Sequence, residues 1–275
     1  MSHHEMPSNT TCSRFRIQHF AQAKEKGQPI TMLTAYDALI APILEDAGID
    51  VLLVGDSLGN TVLGYDSTLP VTLEDMERAT GAVARSTRHV MVVADMPFGT
   101  YEADAFTAYT HAVRLMKAGA HAVKLEGGAA RTQAVQTLVQ GGIPVIGHLG
   151  YTPQSENTLG GPRMQGRGDT GRILREDAHA LQEAGACAIV LEMVPADLAR
   201  QITEELRIPT IGIGAGPHTD GQVLVWSDMA GMGSWAPSFV KRFGEIGESL
   251  RLAASAYVSA VREGSFPAQG HYKEQ

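Results

Sequence analysis

The sequence predicts an α/β fold, a (β/α)8 TIM barrel in a single domain, and three observations support this prediction. Short apolar runs recur eight times along the 275 residues. Amphipathic helical patterns separate most of these runs, and five of the runs lead directly into an acidic residue or a histidine. Parallel strands that are buried on both faces appear as near-continuous apolar segments, and eight βα units make one barrel of this size.

The predicted strands are short and are bounded by Gly, Pro, Asp or Asn. They cover residues 30–35, 51–55, 90–94, 122–125, 144–147, 188–191, 209–213 and 222–226. Between them, "DALIAPILEDAG", "AFTAYTHAVRLMKAGA" and "REDAHALQEAGA" place apolar residues at three- and four-residue steps and end at a glycine that suits a helix C-cap. An open, doubly wound sheet is the alternative fold.

Two connections depart from the repeat. The seventh and eighth runs are too close for a full helix, and the fifth and sixth are joined by a Gly-rich insertion, "GYTPQSENTLGGPRMQGRGDTGR". Long loops of this kind often serve as lids or binding loops. After Trp226, an amphipathic helix is expected either to close the barrel or to pack against a neighbouring subunit. The predicted boundaries are a tail and lead-in over residues 1–25, the catalytic barrel over 26–265 and a C-terminal tail over 266–275.

Charge and composition argue against several classes of function. The net charge is −8 and the cations are dispersed, so neither nucleic acid nor an anionic membrane is an expected partner. The sequence shows no apolar run of about 20 residues and no secretory h-region. Cys12 and Cys187 lie far apart, which suits a reducing compartment, and a cytoplasmic location is expected. His3 and His4 could bind a metal, but a disordered tail is the favoured interpretation.

Polar residues follow the apolar bodies of five predicted strands. In a parallel barrel, the carboxyl ends of all strands meet at one mouth, where active sites lie. The five residues expected around this mouth are Asp56, Asp95, Glu126, His148 and Glu192. Because side chains alternate along a strand, Lys124 in "VKLE" faces the same side as Glu126.

Carboxylates that share one mouth repel each other unless a cation neutralises them. A hard divalent cation bound through oxygen does this, and Mg²⁺ fits better than zinc because the set has few His or Cys ligands. The alternative is that each acid only caps the helix that follows it. Five such coincidences are less expected than one shared site.

Two weaker candidates remain open. "IGIGAG" at residues 211–216 either binds phosphate through backbone N–H groups or is glycine-rich for steric reasons. Arg163 and Arg167 in the Gly-rich insertion either meet an anionic substrate or are solvated.

A series of longer motifs resembles one known family. In order, they are "TAYD", "LLVGDSLG", "GYDSTLPVT", "ADMPFGTY", "VKLEGG", "GHLGYTPQ", "GGPRMQGRGD", "LEMVPADLA", "IPTIGIGAG" and "TDGQVLVWSDMAG". Over about residues 30–264, the chain resembles the ketopantoate hydroxymethyltransferases. The resemblance implies a magnesium-dependent barrel enzyme that assembles as a homodecamer. It also implies transfer of a hydroxymethyl group from 5,10-methylenetetrahydrofolate to 3-methyl-2-oxobutanoate.

The resemblance also assigns roles to residues. Asp56 and Asp95 become the magnesium ligands that bring the keto acid to the metal, and Glu126 completes the metal site directly or through water. The groups that hold the carboxylate and carbonyl of the keto acid are Ser57, Lys124 and His148. Glu192 becomes the general base that removes the C3 proton, and the resulting enolate attacks the one-carbon unit of the folate.

The sequence departs from the family pattern at Tyr151, at "PRM" in the insertion, and at Trp226 and Ser227. These positions bear on the folate site more than on the metal or the base. One alternative is a magnesium-dependent barrel of the isocitrate lyase and phosphoenolpyruvate mutase type, which would need another base and often a Cys-bearing lid. The other is a non-catalytic binding protein on the same barrel.

Overall fold

The structure is a computed structural model that describes residues 14–273. The strands are β1 (Ile30–Thr34), β2 (Val51–Val54), β3 (Met91–Asp95), β4 (Ala122–Glu126), β5 (Val145–Gly150), β6 (Ala188–Glu192), β7 (Thr210–Ile213) and β8 (Gly221–Leu224). They form a closed barrel in chain order, and every neighbouring pair is parallel, including β1 with β8. The predicted (β/α)8 barrel is confirmed, and the alternative of an open sheet is wrong.

The described chain divides into two compact units, one up to Leu224 and one from Val225. The first contains the barrel with α1 (Ile17–Lys26), α2 (Ile40–Asp46), α3 (Leu58–Thr61), α4 (Leu73–Ser86), α5 (Ala105–Ala118), α6 (Thr132–Gln140), α7 (Glu156–Leu159), α8 (Thr170–Glu183) and α9 (Ala196–Glu205). The second contains α10 (Trp226–Met229) and α11 (Ile246–Arg262). Helix α11 is the amphipathic helix expected after Trp226, and its packing partner stays a prediction.

The irregular connections are those that the sequence indicates. Residues 214–220, between β7 and β8, form turns instead of a helix. The insertion after β5 holds a 3₁₀ turn at Pro153–Ser155 and the short α7 before α8 begins. The last strand differs from its predicted bounds, because Val225 caps α10 and Trp226 is already helical.

The core lies inside the barrel and is closed at its amino end by α1. Phe20 of α1 is 1% exposed and belongs to the same buried cluster as Ile30, Val51 and Met91 near the strand starts. A large aromatic side chain in this position removes much apolar surface from water. The segment expected to be a lead-in therefore contributes a helix to the barrel floor.

Three sequence-based expectations concern residues outside the described range, namely those on His3, His4 and Cys12. Cys187 is half-buried, and its thiol donates to the carbonyl of Val145 (3.2 Å). Within residues 14–273, no helix is long and apolar enough to cross a membrane.

His121, which directly precedes β4, makes the stability of the barrel depend on pH. Its Nδ1 accepts from the backbone N–H of Val92 (2.9 Å). Burial, together with the charges of Arg14 and Arg16, lowers the pKa of His121 from 6.5 to about 4. In the unfolded chain His121 is protonated below about pH 6.5, whereas in the folded chain it is protonated only below about pH 4. The free energy of unfolding therefore falls as the pH drops from about 6.5 to about 4.

We expect His121→Asn to flatten this acid dependence, because the Asn Oδ1 can accept from Val92 and does not titrate. Urea unfolding at several pH values between 4 and 7 measures the slope. An unchanged slope in the variant would show that other groups cause the acid destabilisation.

Candidate active site

The alternation of side chains along the strands brings the polar residues to one end of the barrel interior. Met91 and Val93 of β3 belong to the interior cluster, so the next residue on that face is Asp95. The same period in the neighbouring strands orients Lys124, Glu126, His148 and Glu192 inward. The sequence-predicted residues are therefore together at the carboxyl ends of β3 to β6, and Asp56 with Ser57 joins them after β2.

Two aspartates and a lysine form the deepest part of the site. Asp95 Oδ1 lies 2.7 Å from the Lys124 ammonium, and the two residues are opposite each other in the β3–β4 register. The backbone N–H of Asp56 donates to Asp95 Oδ2 (3.1 Å). All three residues are buried. The Asp95 carboxylate is thus held against the backbone of Asp56, and both aspartate side chains are shielded from bulk water.

His148 connects the acids of β4 and β6. Its Nδ1 lies 3.2 Å from both the Lys124 ammonium and Glu126 Oε1, and its Nε2 lies 3.2 Å from Glu192 Oε2. Burial, and then the Lys124 charge, lowers the pKa of His148, so the ring is neutral. The Glu192 side chain is 16% exposed, whereas that of His148 is 4% exposed. Glu192 is therefore the carboxylate at the boundary between the buried group and the open mouth.

If all the buried acids were ionised, they would carry more negative charge than the lysine can neutralise. Burial, then the charges of Asp95 and Glu126, raises the pKa of Asp56 to about 8. Burial also raises the pKa of Glu126, to about 7, against the opposing effect of Lys124. Burial alone would lower the pKa of Lys124, but the surrounding carboxylates raise it, so this residue stays an ammonium. When Asp56, Asp95 and Glu126 are all ionised, they and the Lys124 ammonium have a formal charge of −2, which a single divalent cation would cancel.

The donor set suits a hard divalent cation with few protein ligands. Asp56 and Asp95 supply carboxylate oxygens, the ligand type that Mg²⁺ prefers. Within residues 14–273, no three His, Cys, Asp or Glu side chains converge closely enough to hold a metal by themselves. A cation bound here would therefore complete its coordination with water or substrate oxygens.

The acids do not cap the helices that follow them. The residues at the N-caps of α3, α5, α6 and α9 are Ser57, Asp104, Arg131 and Pro195. The capping interpretation is therefore wrong for Asp56, Asp95, Glu126 and Glu192.

The structure places three further side chains in the site that the sequence did not indicate as site residues. The Tyr36 hydroxyl lies 2.9 Å from Ser57 Oγ and is buried after β1. Gln154 and Tyr101 are also buried, and they hydrogen-bond with each other and with the acids of the site. Their only signal in the sequence is that they lie in the motifs "TAYD", "ADMPFGTY" and "GHLGYTPQ".

The two arginines of the Gly-rich insertion make local contacts. Arg163 donates to the carbonyl of Leu159 at the end of α7, and Arg167 lies 3.6 Å from the sulfur of Met164. A contact of either residue with an anionic substrate stays a prediction, as does phosphate binding at residues 211–216.

Fold and site together define a parallel (β/α)8 barrel with an acidic, lysine-containing mouth. Comparison with known proteins specifies the family, because residues 14–269 match the family model described as ketopantoate hydroxymethyltransferase. The chain belongs to this family and is an enzyme of the hydroxymethyltransferase class.

Curated relatives agree over nearly the whole chain, and each is named 3-methyl-2-oxobutanoate hydroxymethyltransferase. The protein of Leifsonia xyli subsp. xyli is 52% identical over 269 residues, which covers 97% of each chain. That of Saccharopolyspora erythraea is 54% identical and covers 94% of this chain and 89% of its own. That of Corynebacterium glutamicum is 50% identical, with 95% and 98% covered.

Solved structures share the fold at low sequence identity. A 2,3-dimethylmalate lyase, described as a PEP mutase/isocitrate lyase superfamily member, has a TM-score of 0.59 at 17% identity and covers 94% of this chain and 92% of its own. A phosphoenolpyruvate phosphomutase from Streptomyces platensis subsp. rosaceus has a TM-score of 0.62 at 13% identity, with 90% and 88% covered. These similarities concern the barrel alone, and the family match excludes the isocitrate lyase type as the identity of this chain.

Proposed function

We propose that this chain transfers a hydroxymethyl group from 5,10-methylenetetrahydrofolate to 3-methyl-2-oxobutanoate and thereby forms 2-dehydropantoate for pantothenate synthesis. The observation that carries the proposal is the arrangement at the mouth, where Glu192 lies beside a buried group of acids, Lys124 and His148. By atom balance, a new bond forms between C3 of the keto acid and the folate methylene carbon. Both bonds from that carbon to the folate nitrogens break, and one water supplies the hydroxyl oxygen.

The metal in this proposal is Mg²⁺, with Asp56 and Asp95 as ligands and Glu126 bound directly or through water. Bound there, it would neutralise the acids and polarise the 2-oxo group, which makes the C3 proton more acidic. The support comes from the formal charge of −2 and from two adjacent buried aspartates.

The other side chains of the site orient the keto acid, stabilise the developing charge and remove the proton. Lys124 lies within the buried group as an ammonium and stabilises the negative oxygen that develops when the C3 proton leaves. Ser57, beside Asp56, and His148 orient the carboxylate and carbonyl of the keto acid. Glu192 takes the C3 proton, because it is the acid of the group that keeps exposure to the mouth.

The position of His148 supports the role of Glu192. Its Nε2 lies 3.2 Å from Glu192 Oε2, so the ring lies between Glu192 and the buried acids. To act as the base, Glu192 must lie within hydrogen-bond reach of C3 of the bound keto acid.

A direct assay tests the proposed reaction. The purified protein is incubated with 3-methyl-2-oxobutanoate, Mg²⁺ and 5,10-methylenetetrahydrofolate that carries ¹³C in its methylene group. We expect ¹³C-labelled 2-dehydropantoate by mass spectrometry, and loss of the product when EDTA is added. No labelled product would contradict the proposed donor or acceptor, and full activity in EDTA would contradict the metal.

The backbone next to Glu192 gives a further prediction. Gly150 has φ +95°, and a Cβ on it would lie 2.1 Å from the Glu192 carbonyl oxygen. We expect Gly150→Ala to push β6 outward and to lower kcat. The matched control is Gly142→Ala, where φ is +83° and no atom lies within 4 Å of the added Cβ.

Both substitutions place a side chain in left-handed backbone, which costs roughly 1–2 kcal/mol. Urea unfolding and steady-state kinetics on both variants separate this shared cost from the effect on Glu192. Equal loss of kcat in both variants would contradict the prediction.

A further inference from the structure

Gln154 forms hydrogen bonds with two acids of the mouth, Asp56 and Glu126. It lies in the 3₁₀ turn after β5 and is 5% exposed. Its Nε2 donates to Asp56 Oδ2 (2.8 Å) and to the carbonyl of Met96 (3.0 Å), and its backbone N–H donates to Glu126 Oε2 (3.0 Å). Its Oε1 accepts from the Tyr101 hydroxyl (2.5 Å). One residue therefore connects the segments that follow β2 and β3 with the last residue of β4.

Tyr101 fixes the direction in which the amide points. Its hydroxyl accepts from the backbone N–H of Glu126 (3.2 Å), which leaves its hydrogen to be donated to Gln154 Oε1. An amide turned by 180° would place Oε1 against the Asp56 carboxylate and the Met96 carbonyl, which are both acceptors. In the observed orientation, each amide atom has a complementary partner.

We propose that Gln154, oriented by Tyr101, is a positioning residue that holds the Asp56 and Glu126 carboxylates for a divalent cation. Because Asp56 Oδ2 accepts the hydrogen bond from Gln154, Asp56 Oδ1 is the oxygen that is left to bind the cation. The bond from the backbone N–H holds Glu126 at a separate position. This inference rests on the proposed function for the identity of the metal site. Hydrogen bonds to ligating carboxylates commonly change metal affinity by about 10- to 100-fold.

The test measures binding of Mn²⁺ alone, as a stand-in for Mg²⁺, from the EPR signal of free Mn²⁺ with the purified full chain. Gln154→Met keeps the length of the side chain and the backbone N–H that binds Glu126, but it removes the amide that donates to Asp56. We expect it to raise the Kd for Mn²⁺ about 10- to 100-fold. Tyr101→Phe should raise the Kd less. In the Gln154→Met background it should have no further effect, because Tyr101 acts through Gln154.

Gln182→Met is the matched control. Gln182 is also buried, and its Oε1 accepts from the backbone N–H of Arg207 (2.6 Å). Its loss should lower thermal stability and leave Mn²⁺ binding unchanged. If Gln154→Met does not fold, Tyr101→Phe alone provides the test, because it removes only one hydroxyl.

The outcomes distinguish this inference from the proposed function. If the wild type binds Mn²⁺ and Asp95→Asn loses binding while Gln154→Met retains the wild-type Kd, the positioning role is wrong and the metal site stands. Additive effects of the Tyr101 and Gln154 substitutions would contradict the orienting role of Tyr101. A wild-type chain that binds no Mn²⁺ would overturn both proposals.

Discussion

Glu192→Gln is expected to lower kcat by about 10²- to 10⁴-fold, the usual contribution of a general base. The amide has nearly the same size as the carboxylate, whose Oε2 lies 3.2 Å from His148 Nε2 in the wild type, so it fits the same place. Binding of Mg²⁺ and keto acid should therefore persist, and KM for the keto acid should change little. Steady-state kinetics, together with exchange of the C3 hydrogen in D₂O, measures the effect.

Glu45→Gln is the matched control for this prediction. Glu45 accepts from the backbone N–H groups of Arg88, His89 and Val90, beside the amino end of β3 and far along the barrel from the mouth. We expect this variant to lose stability and to keep its exchange rate. If Glu192→Gln retained exchange at the wild-type rate, Glu192 would not be the base.

Asp95→Asn is expected to abolish magnesium-dependent binding of the keto acid. The substitution removes one of the two buried carboxylates proposed as ligands and leaves the buried Lys124 without its carboxylate partner, which lies 2.7 Å away in the wild type. Loss of one partner of a buried ion pair costs about 3–5 kcal/mol of stability. Calorimetric titration of keto acid with and without Mg²⁺, on samples shown by circular dichroism to be folded, measures the loss of binding.

Asp220→Asn controls for the loss of an acid paired with a lysine. Asp220 Oδ2 lies 2.9 Å from the Lys24 ammonium and accepts from the backbone N–H of Thr210 (2.8 Å), at the start of β7. This variant should lose stability but keep the magnesium dependence. Unchanged affinity and unchanged magnesium dependence in Asp95→Asn would mean that the metal lies elsewhere.

The barrel and most of the site could be predicted from the sequence because their signals are local. Strands of four to six residues with an apolar body and a polar residue at or just after the carboxyl end mark the mouth of the barrel, and the two-residue period orients Asp95, Lys124 and Glu126 inward. The predicted end of β8 was wrong because Val225 and Trp226 extend the apolar run, although the chain already turns into α10 there. Apolar character alone does not distinguish a buried strand from a buried helix start.

Gln154, Tyr101 and Tyr36 could not be found in this way, since they lie in loops and act through distant partners. Gln154 is separated along the chain by 98 residues from Asp56 and by 53 from Tyr101, and only barrel closure brings them together. Loop residues have no fixed period that would indicate their orientation. Helix α1 at the amino end of the barrel could not be predicted for a related reason. Its Phe20 is buried by contacts with strands from other parts of the chain.

The most direct test of magnesium-assisted proton removal by this chain follows the C3 hydrogen of 3-methyl-2-oxobutanoate by proton NMR. The purified protein is placed in D₂O with the keto acid and Mg²⁺, first alone and then with tetrahydrofolate. We expect the C3 signal to disappear at a rate that depends on Mg²⁺ and on Glu192. A signal that persists under both conditions would contradict enolisation of this keto acid as the reaction that the site performs.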